Sequence, residues 1–185
     1  HEILGKMAKQ GFIGISKPAD FGGGGLDYSY DAVASETLGY IGAGGVAMGI
    51  GVQTQMATPA LAQYGTDALR RDYLAPALAG EMVACVGVTE AGAGSDVASL
   101  KTTARKDGDD YIINGSKMYI TNGMQADWMC CLCNTGEGPV HRNKSLIIVP
   151  LNAAGVTRHK IRKIGMMCSD TAQIFMDDVR VPQSN

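Results

Sequence analysis

Glu81-Met82-Val83-Ala84-Cys85-Val86-Gly87-Val88-Thr89-Glu90-Ala91-Gly92-Ala93-Gly94-Ser95-Asp96 is the stretch where the chain changes its period. Before it, apolar residues recur at helical spacing. After it, short runs rich in Val, Ile, Thr and Tyr alternate with turn residues, the pattern of strands. Strands are predicted over 82–89, 99–106, 111–113, 116–121, 128–134, 146–149, 156–162 and 172–176. Asp107-Gly108-Asp109-Asp110 reads as a hairpin turn between the second and third of these, and Asn114-Gly115 as another after the third. Strands with no intervening helix argue for an antiparallel sandwich or barrel rather than a doubly wound sheet.

Upstream the reading is helical. Gln10, Gly11 and Lys17-Pro18-Ala19-Asp20 end a first short helix and lead through Gly22-Gly23-Gly24-Gly25 to a helix over 29–40 and a more apolar one over 44–57. Thr58 is the expected N-cap of a short piece opened by Pro59 and ended at Gly65. Thr66 caps the next helix, and Pro76 opens a last turn closed by Gly80. The expected class is α+β: a partial N-terminal helical domain over 1–81, then a β-domain of about eight short strands over 82–185, barrel-like or sandwich-like.

Composition supports a globular chain with an ample core, since 45% of the 185 residues are hydrophobic. Charged residues make up 18% and the formal net charge is −2, which argues against a disordered tail and against a basic nucleic-acid binder. No run of ~18 apolar residues offers a membrane span, and the start has no secretory or transit pattern. The first residue is His1 rather than Met, which suggests a fragment or a processed product. Glycine supplies 25 residues, a share about twice the usual ~7%, readable as ligand approach or as turns and close helix packing. Cys85, Cys130, Cys131, Cys133 and Cys168 form no paired CxxC and read as small hydrophobes in a reducing compartment. His1, His141 and His159 have no metal-ligand spacing, and no GxSxG elbow is present.

Val86 to Asp96 holds what a cofactor phosphate requires. Gly92 and Gly94 let backbone N–H groups approach unhindered, Thr89 and Ser95 add hydroxyls, and the loop can form an anion-binding nest. A GxGxxG reading fails because Gly92-Ala93-Gly94-Ser95-Asp96-Val97 ends in Val, and there is no Gly-Lys-Ser/Thr for a Walker loop. Taken alone, Thr89-Glu90 reads as a turn and Tyr119-Ile120-Thr121 as cross-strand packing. Arg158, His159, Lys160, Arg162 and Lys163 read as a charge-guarded edge strand, or as a basic strip that attracts phosphate.

Four ordered stretches, however, resemble the acyl-CoA dehydrogenase family and span almost the whole chain. They are Tyr73-Leu74-Ala75-Pro76-Ala77-Leu78-Ala79-Gly80-Glu81, the 86–96 segment, Tyr111-Ile112-Ile113-Asn114-Gly115-Ser116-Lys117-Met118-Tyr119-Ile120-Thr121-Asn122-Gly123, and Lys163-Ile164-Gly165-Met166-Met167-Cys168-Ser169-Asp170-Thr171 followed by Asp177-Asp178-Val179-Arg180-Val181-Pro182. The resemblance implies that Val86, Val88, Thr89, Gly94 and Ser95 line bound FAD, with Thr89 on the pyrimidine side and Ser95 near both the pyrophosphate and the acyl-CoA substrate. It implies further that Tyr119, Ile120 and Thr121 lie against the isoalloxazine, Thr121 donating toward N5. The family usually has Trp at the place of Tyr119 and Pro at the place of Ala91. The first change keeps a smaller aromatic platform and the second loosens the loop.

By the same resemblance the reaction is α,β-dehydrogenation of an acyl-CoA to a trans-2-enoyl-CoA. A carboxylate base takes the α-proton and a hydride goes to flavin N5. None of Glu2, Glu36, Glu81, Glu90 and Glu137 matches the family's base, which is expected in a C-terminal helical domain absent from this chain. No catalytic residue and no metal ligand is therefore assigned, and the chain alone is expected to be inactive. The expected partner is electron-transferring flavoprotein, the expected assembly a homotetramer, and the expected compartment the mitochondrial matrix in a eukaryote or the cytoplasm in a bacterium. Alternatives are an acyl-CoA oxidase and a non-catalytic flavin- or acyl-CoA-binding homologue. Asp96, in a tight loop, is expected to accept backbone N–H bonds rather than act as a base.

Overall fold

The computed structural model describes residues 1–185. The helices are α1 (Glu2–Lys9), α2 (Tyr28–Gly39), α3 (Gly44–Gly51), α4 (Pro59–Tyr64), α5 (Asp67–Leu69) and α6 (Ala75–Leu78). Asp27 caps α2 by accepting the Ser29 amide at 2.8 Å, and Thr66 caps α5 by accepting the Leu69 amide at 3.3 Å. Thr58 is not a cap: its backbone stays helical, and its hydroxyl donates to the Gln53 carbonyl at 2.8 Å. The helix runs through Thr58 because α3 continues as wide π turns over Val52–Ala57, immediately before Pro59, whose missing N–H disfavours a regular preceding turn.

The strands are β1 (Ala84–Gly87), β2 (Thr103–Asp107), β3 (Asp110–Thr121), β4 (Trp128–Asn134), β5 (Lys144–Pro150), β6 (Val156–Lys160) and β7 (Thr171–Pro182). They form one mixed sheet. β1 runs parallel to β4 and β2 meets the end of β4 in parallel at Thr103 and Asn134, whereas β2 with β3, β3 with β7, β7 with β6 and β4 with β5 are antiparallel. The α+β class holds. The expected all-antiparallel pairing does not, because β1 reaches β4 across a long crossover that brings it in pointing the same way.

Gly108, at φ 61°, sits in the expected hairpin between β2 and β3. Asn114-Gly115 is not a turn, so two expected strands are one. β2 begins opposite Asn114 and does not extend past it, while β7 accompanies β3 along its whole length, and the chain therefore has no reason to reverse. Gly115 is required where it stands: at φ 147°, a Cβ there would lie 2.8 Å from the Thr102 Cα. Two irregularities interrupt the β3–β7 ladder. Between Ile113 and Gly115 the surplus residue lies on β7, where Asp178 takes φ 48° and bonds back to Asn114; between Lys117 and Ile120 it lies on β3, where Tyr119 takes φ 60°.

The predicted strand over 99–106 starts late, at Thr103, because Glu90 captures the amides of Lys101 and Thr102. One buried cluster runs from Leu61, Leu74 and Leu78 through Val83 and Cys85 to Trp128, Ile147 and Ile174, so helices and sheet share a core. Gln53, fully buried, joins them. Its side-chain amide donates to the carbonyls of Ala77 (3.1 Å) and Met82 (3.0 Å), and its oxygen accepts the Ala84 amide at 2.7 Å. No helix is long and apolar enough to cross a membrane.

Candidate functional site

A cavity of about 360 Å³ opens where the end of β1, the end of β3 and the π turns meet. It is lined by Val52, Met56, Val86, Val88, Thr89, Tyr119, Ile120 and Thr121. The volume falls in the range of small-molecule pockets, roughly 300–1,000 Å³. Six of the eight residues anticipated as cofactor contacts are thus brought together from segments some thirty positions apart. Gly94 and Ser95 stand outside this cavity, on an exposed loop.

The loop's shape follows from one closed turn. The Glu90 amide donates to the Ala93 carbonyl at 2.9 Å and the Ala93 amide returns to Glu90 at 3.2 Å. The amides of Gly92, Gly94 and Ser95 bond to no carbonyl of the chain, and a Cβ on Gly92 or Gly94 would meet nothing within 4 Å. Free, unshielded backbone donors of this kind suit an anion. Asp96 accepts the Ser99 hydroxyl, not the loop amides expected for it, because the chain turns directly into a short helical turn over Val97–Ser99.

Tyr119 is presented by a distortion. The surplus residue of β3 puts it in the left-handed region and leaves it 66% exposed, while its neighbour Ile120 is buried. Strained backbone of this kind costs of order 1–3 kcal/mol and gathers at functional sites. The end of β3 is then fixed by Asn122, whose side-chain amide donates to the Gly49 carbonyl at 2.9 Å. Helix α3 reaches that point because Gly45 lets it close on the loop before β7: a Cβ there would lie 2.8 Å from the Ser169 amide.

Behind the cavity lies a buried ion pair. Lys117 Nζ is 2.9 Å from Glu90 Oε1, with side-chain exposures of 0% and 9%. Burial alone would raise the Glu90 carboxyl, but the Thr102 hydroxyl, the Lys101 amide, Lys117 and the Thr102 amide outweigh it and hold the group down to about 2. The pair, Gln53 and the cavity residues Val52 and Met56 were not anticipated from sequence. The i,i+4 spacing of Val52 and Met56 on one helical face was the available signal.

The remaining candidates are structural. Cys131 and Cys133 share a face of β4 with sulfurs 3.6 Å apart; burial pushes the Cys130 thiol up to about 11, whereas the hydrogen bond with Cys131 lowers Cys133, and all three are buried core groups. In the basic strip, Arg158 donates to the carbonyls of Gly123 (3.4 Å), Met124 (3.2 Å) and Ala126 (3.0 Å), and Lys163 bonds the Thr171 hydroxyl at 2.7 Å. β6 does lie at the end of the sheet, as an edge strand.

An α-helical segment closing a small-molecule cavity against a mixed sheet agrees with comparison to known proteins. Residues 1–81 match the family model "Acyl-CoA dehydrogenase, N-terminal domain" and residues 85–179 match "Acyl-CoA dehydrogenase, middle domain". The chain belongs to the acyl-CoA dehydrogenase family. It is 35% identical to the mitochondrial long-chain specific acyl-CoA dehydrogenase of Sus scrofa, covering 99% of this chain and 43% of that protein. It is 30% identical to the glutaryl-CoA dehydrogenase of Desulfococcus multivorans, covering 100% and 48%. Among solved structures, a putative acyl-CoA dehydrogenase from Mycobacterium smegmatis superposes with TM-score 0.95 at 39% identity, over 100% of this chain and 48% of that one. An acyl-CoA dehydrogenase from Bacillus anthracis complexed with FAD gives 0.91 at 31% identity, over 100% and 31%. The chain therefore spans less than half the length of these relatives.

Proposed function

We propose that this chain is the flavin-facing portion of an FAD-dependent acyl-CoA dehydrogenase. When bound, FAD supplies an acceptor for the hydride leaving the substrate β-carbon, while a carboxylate takes the α-proton and a trans-2-enoyl-CoA results. In this reading Tyr119 packs on one face of the ring system, Thr89 bonds its pyrimidine side and Thr121 donates toward its N5 edge. Val86, Val88 and Ile120 supply apolar wall, and Val52 and Met56 exclude water from the opposite side. The free amides of Gly94 and Ser95 receive the pyrophosphate, and Ser95 reaches the acyl-CoA. The observation that supports this most is the convergence of Thr89, Tyr119 and Thr121 on one cavity with Tyr119 held out by a strained bulge.

The base is assigned to the part of the relatives' length that this chain does not span. Glu90 cannot serve: its carboxylate already accepts four hydrogen bonds and stays ionised to about 2. Electron-transferring flavoprotein is the proposed acceptor, a homotetramer the proposed assembly, and matrix or bacterial cytoplasm the proposed compartment, in keeping with mitochondrial and bacterial relatives. The test is FAD titration of the intact protein together with a dye-coupled assay on short, medium and long saturated acyl-CoAs. Thr121→Val should lose one hydrogen bond's worth, about 0.5–1.5 kcal/mol, of flavin binding or of reduced-flavin stabilisation. Unchanged affinity, potential and turnover would remove Thr121 from the site. Rapid peroxide release from the reduced protein in air would replace the dehydrogenase reading with an oxidase.

A further inference from the structure

We propose, on the basis of the flavin reading above, that Lys117 and Glu90 are a positioning pair that sets Thr89 and Tyr119 for the cofactor from behind the cavity. Neither residue lines it. The sheet has a gap. β5 occupies one edge of β4 along its whole length, so β1 and β2 must share the other edge end to end. β1 stops at Gly87, opposite Cys131, and β2 starts at Thr103, opposite Asn134. Leu132 falls in the break and has no strand neighbour on that side.

Lys117 fills the break. Its ammonium donates to the Leu132 carbonyl at 2.8 Å, to the Val88 carbonyl at 3.3 Å and to Glu90 at 2.9 Å, which uses all three of its N–H groups. Glu90 in turn accepts the Lys101 amide at 2.7 Å, the Thr102 amide at 3.0 Å and the Thr102 hydroxyl at 2.5 Å. Both ends of the long excursion between β1 and β2 are thereby referred to one point. Thr89 sits between the two held residues, and its own carbonyl accepts the amide of Met118, the residue before Tyr119, at 2.8 Å. Gly87 makes the arrangement possible, since a Cβ there would press on the Lys117 stem at 3.3 Å and on the Met129 sulfur at 2.3 Å.

Stability is a poor explanation for such a pair. Desolvating two charges offsets most of their attraction, and apolar replacements of similar shape are often as stable. What an apolar pair cannot do is hold the Val88 carbonyl, the Leu132 carbonyl and two loop amides at fixed distances.

The experiment compares the intact wild-type protein with Lys117→Met, Glu90→Gln and the double variant, which buries no lone charge and guards against simple misfolding of the single ones. The readouts are FAD affinity, the shape of the bound flavin's visible band and its reduction potential, and amide exchange at Lys101, Thr102 and Met118 against β7 as internal control. The expected result is a double variant with native far-UV signal and unaltered β7 exchange, FAD affinity weakened by about tenfold or more, a changed flavin band, and faster exchange at the three amides. A double variant that binds FAD with wild-type affinity, band shape and potential overturns the positioning proposal alone. A wild-type protein that takes no FAD overturns the flavin reading first and this proposal with it.

Discussion

Replacing Gln53 with Leu tests whether a single carboxamide holds the helices to the sheet. The substitution nearly conserves volume, so packing loss is small and polar loss dominates. Three hydrogen bonds disappear, at 2.7, 3.0 and 3.1 Å, and the Ala84 amide is left without its acceptor in a fully buried setting. At about 1 kcal/mol for each bond, plus about 1–2 for the stranded donor, the expected loss is about 4–5 kcal/mol. Because Gln53 lies between the cavity residues Val52 and Met56, the same change should weaken flavin binding. Urea unfolding followed by far-UV circular dichroism should show a midpoint lower by about 1–2 M. A midpoint within about 0.3 M of wild type, at unchanged slope, would mean that the shared apolar core suffices and that the carboxamide is not the joint.

Gly45→Ala should destabilise by about 1–3 kcal/mol in the same assay, since its Cβ meets backbone of the loop before β7, whereas Gly92→Ala should stay within about 0.5 kcal/mol because nothing lies above it. Tyr119→Gly should separate two effects: stability held or raised as the strain at φ 60° is relieved, with flavin affinity lowered as the aromatic platform goes; affinity and stability falling together would contradict this. Glu90 has a folded pKa of about 2 against an ordinary 4.5, so its stabilisation is complete above 4.5 and is lost as pH falls toward 2. Acid unfolding of Glu90→Gln should therefore show a shallower decline across that window than wild type, and an unchanged decline would place the acid sensitivity elsewhere.

Much of the helical half was legible because its punctuation is local: Thr66, Pro59 and Gly65 act on the residues beside them. Strand positions were legible from alternation, but their pairing was not. Parallel contact between β1 and β4 depends on residues 44 positions apart at Ala84 and Trp128, and no local pattern encodes it. Asn114-Gly115 misled for a related reason. The dipeptide permits a reversal, and only the presence of β7 alongside decides that none occurs. At the site, Thr89, Tyr119 and Thr121 were found through motif spacing, while Lys117 was hidden because a lysine in a strand ordinarily signals solvent. Its burial becomes intelligible only once the break opposite Leu132 is seen.

The two irregularities of the β3–β7 ladder carry a consequence for how this segment tolerates change in length. Asp110 pairs with Pro182 and Thr121 with Thr171, so the two strands span equal lengths even though each harbours one surplus residue at a different place. The offsets behave as opposite dislocations that annihilate across the three-residue segment between them. Removing Asp178 alone would take out the surplus residue and let β7 pair regularly beside Ile113 and Gly115 with its other partners kept, and a deletion at Tyr119 alone would do the same for β3. Taking one from each strand would leave the ladder in step and cost only the aromatic ring that the slack in β3 pushes toward the cavity. A one-residue deletion should therefore be borne by the ladder at either bulge, whereas one at a regularly paired position of β3 or β7 would shift the register.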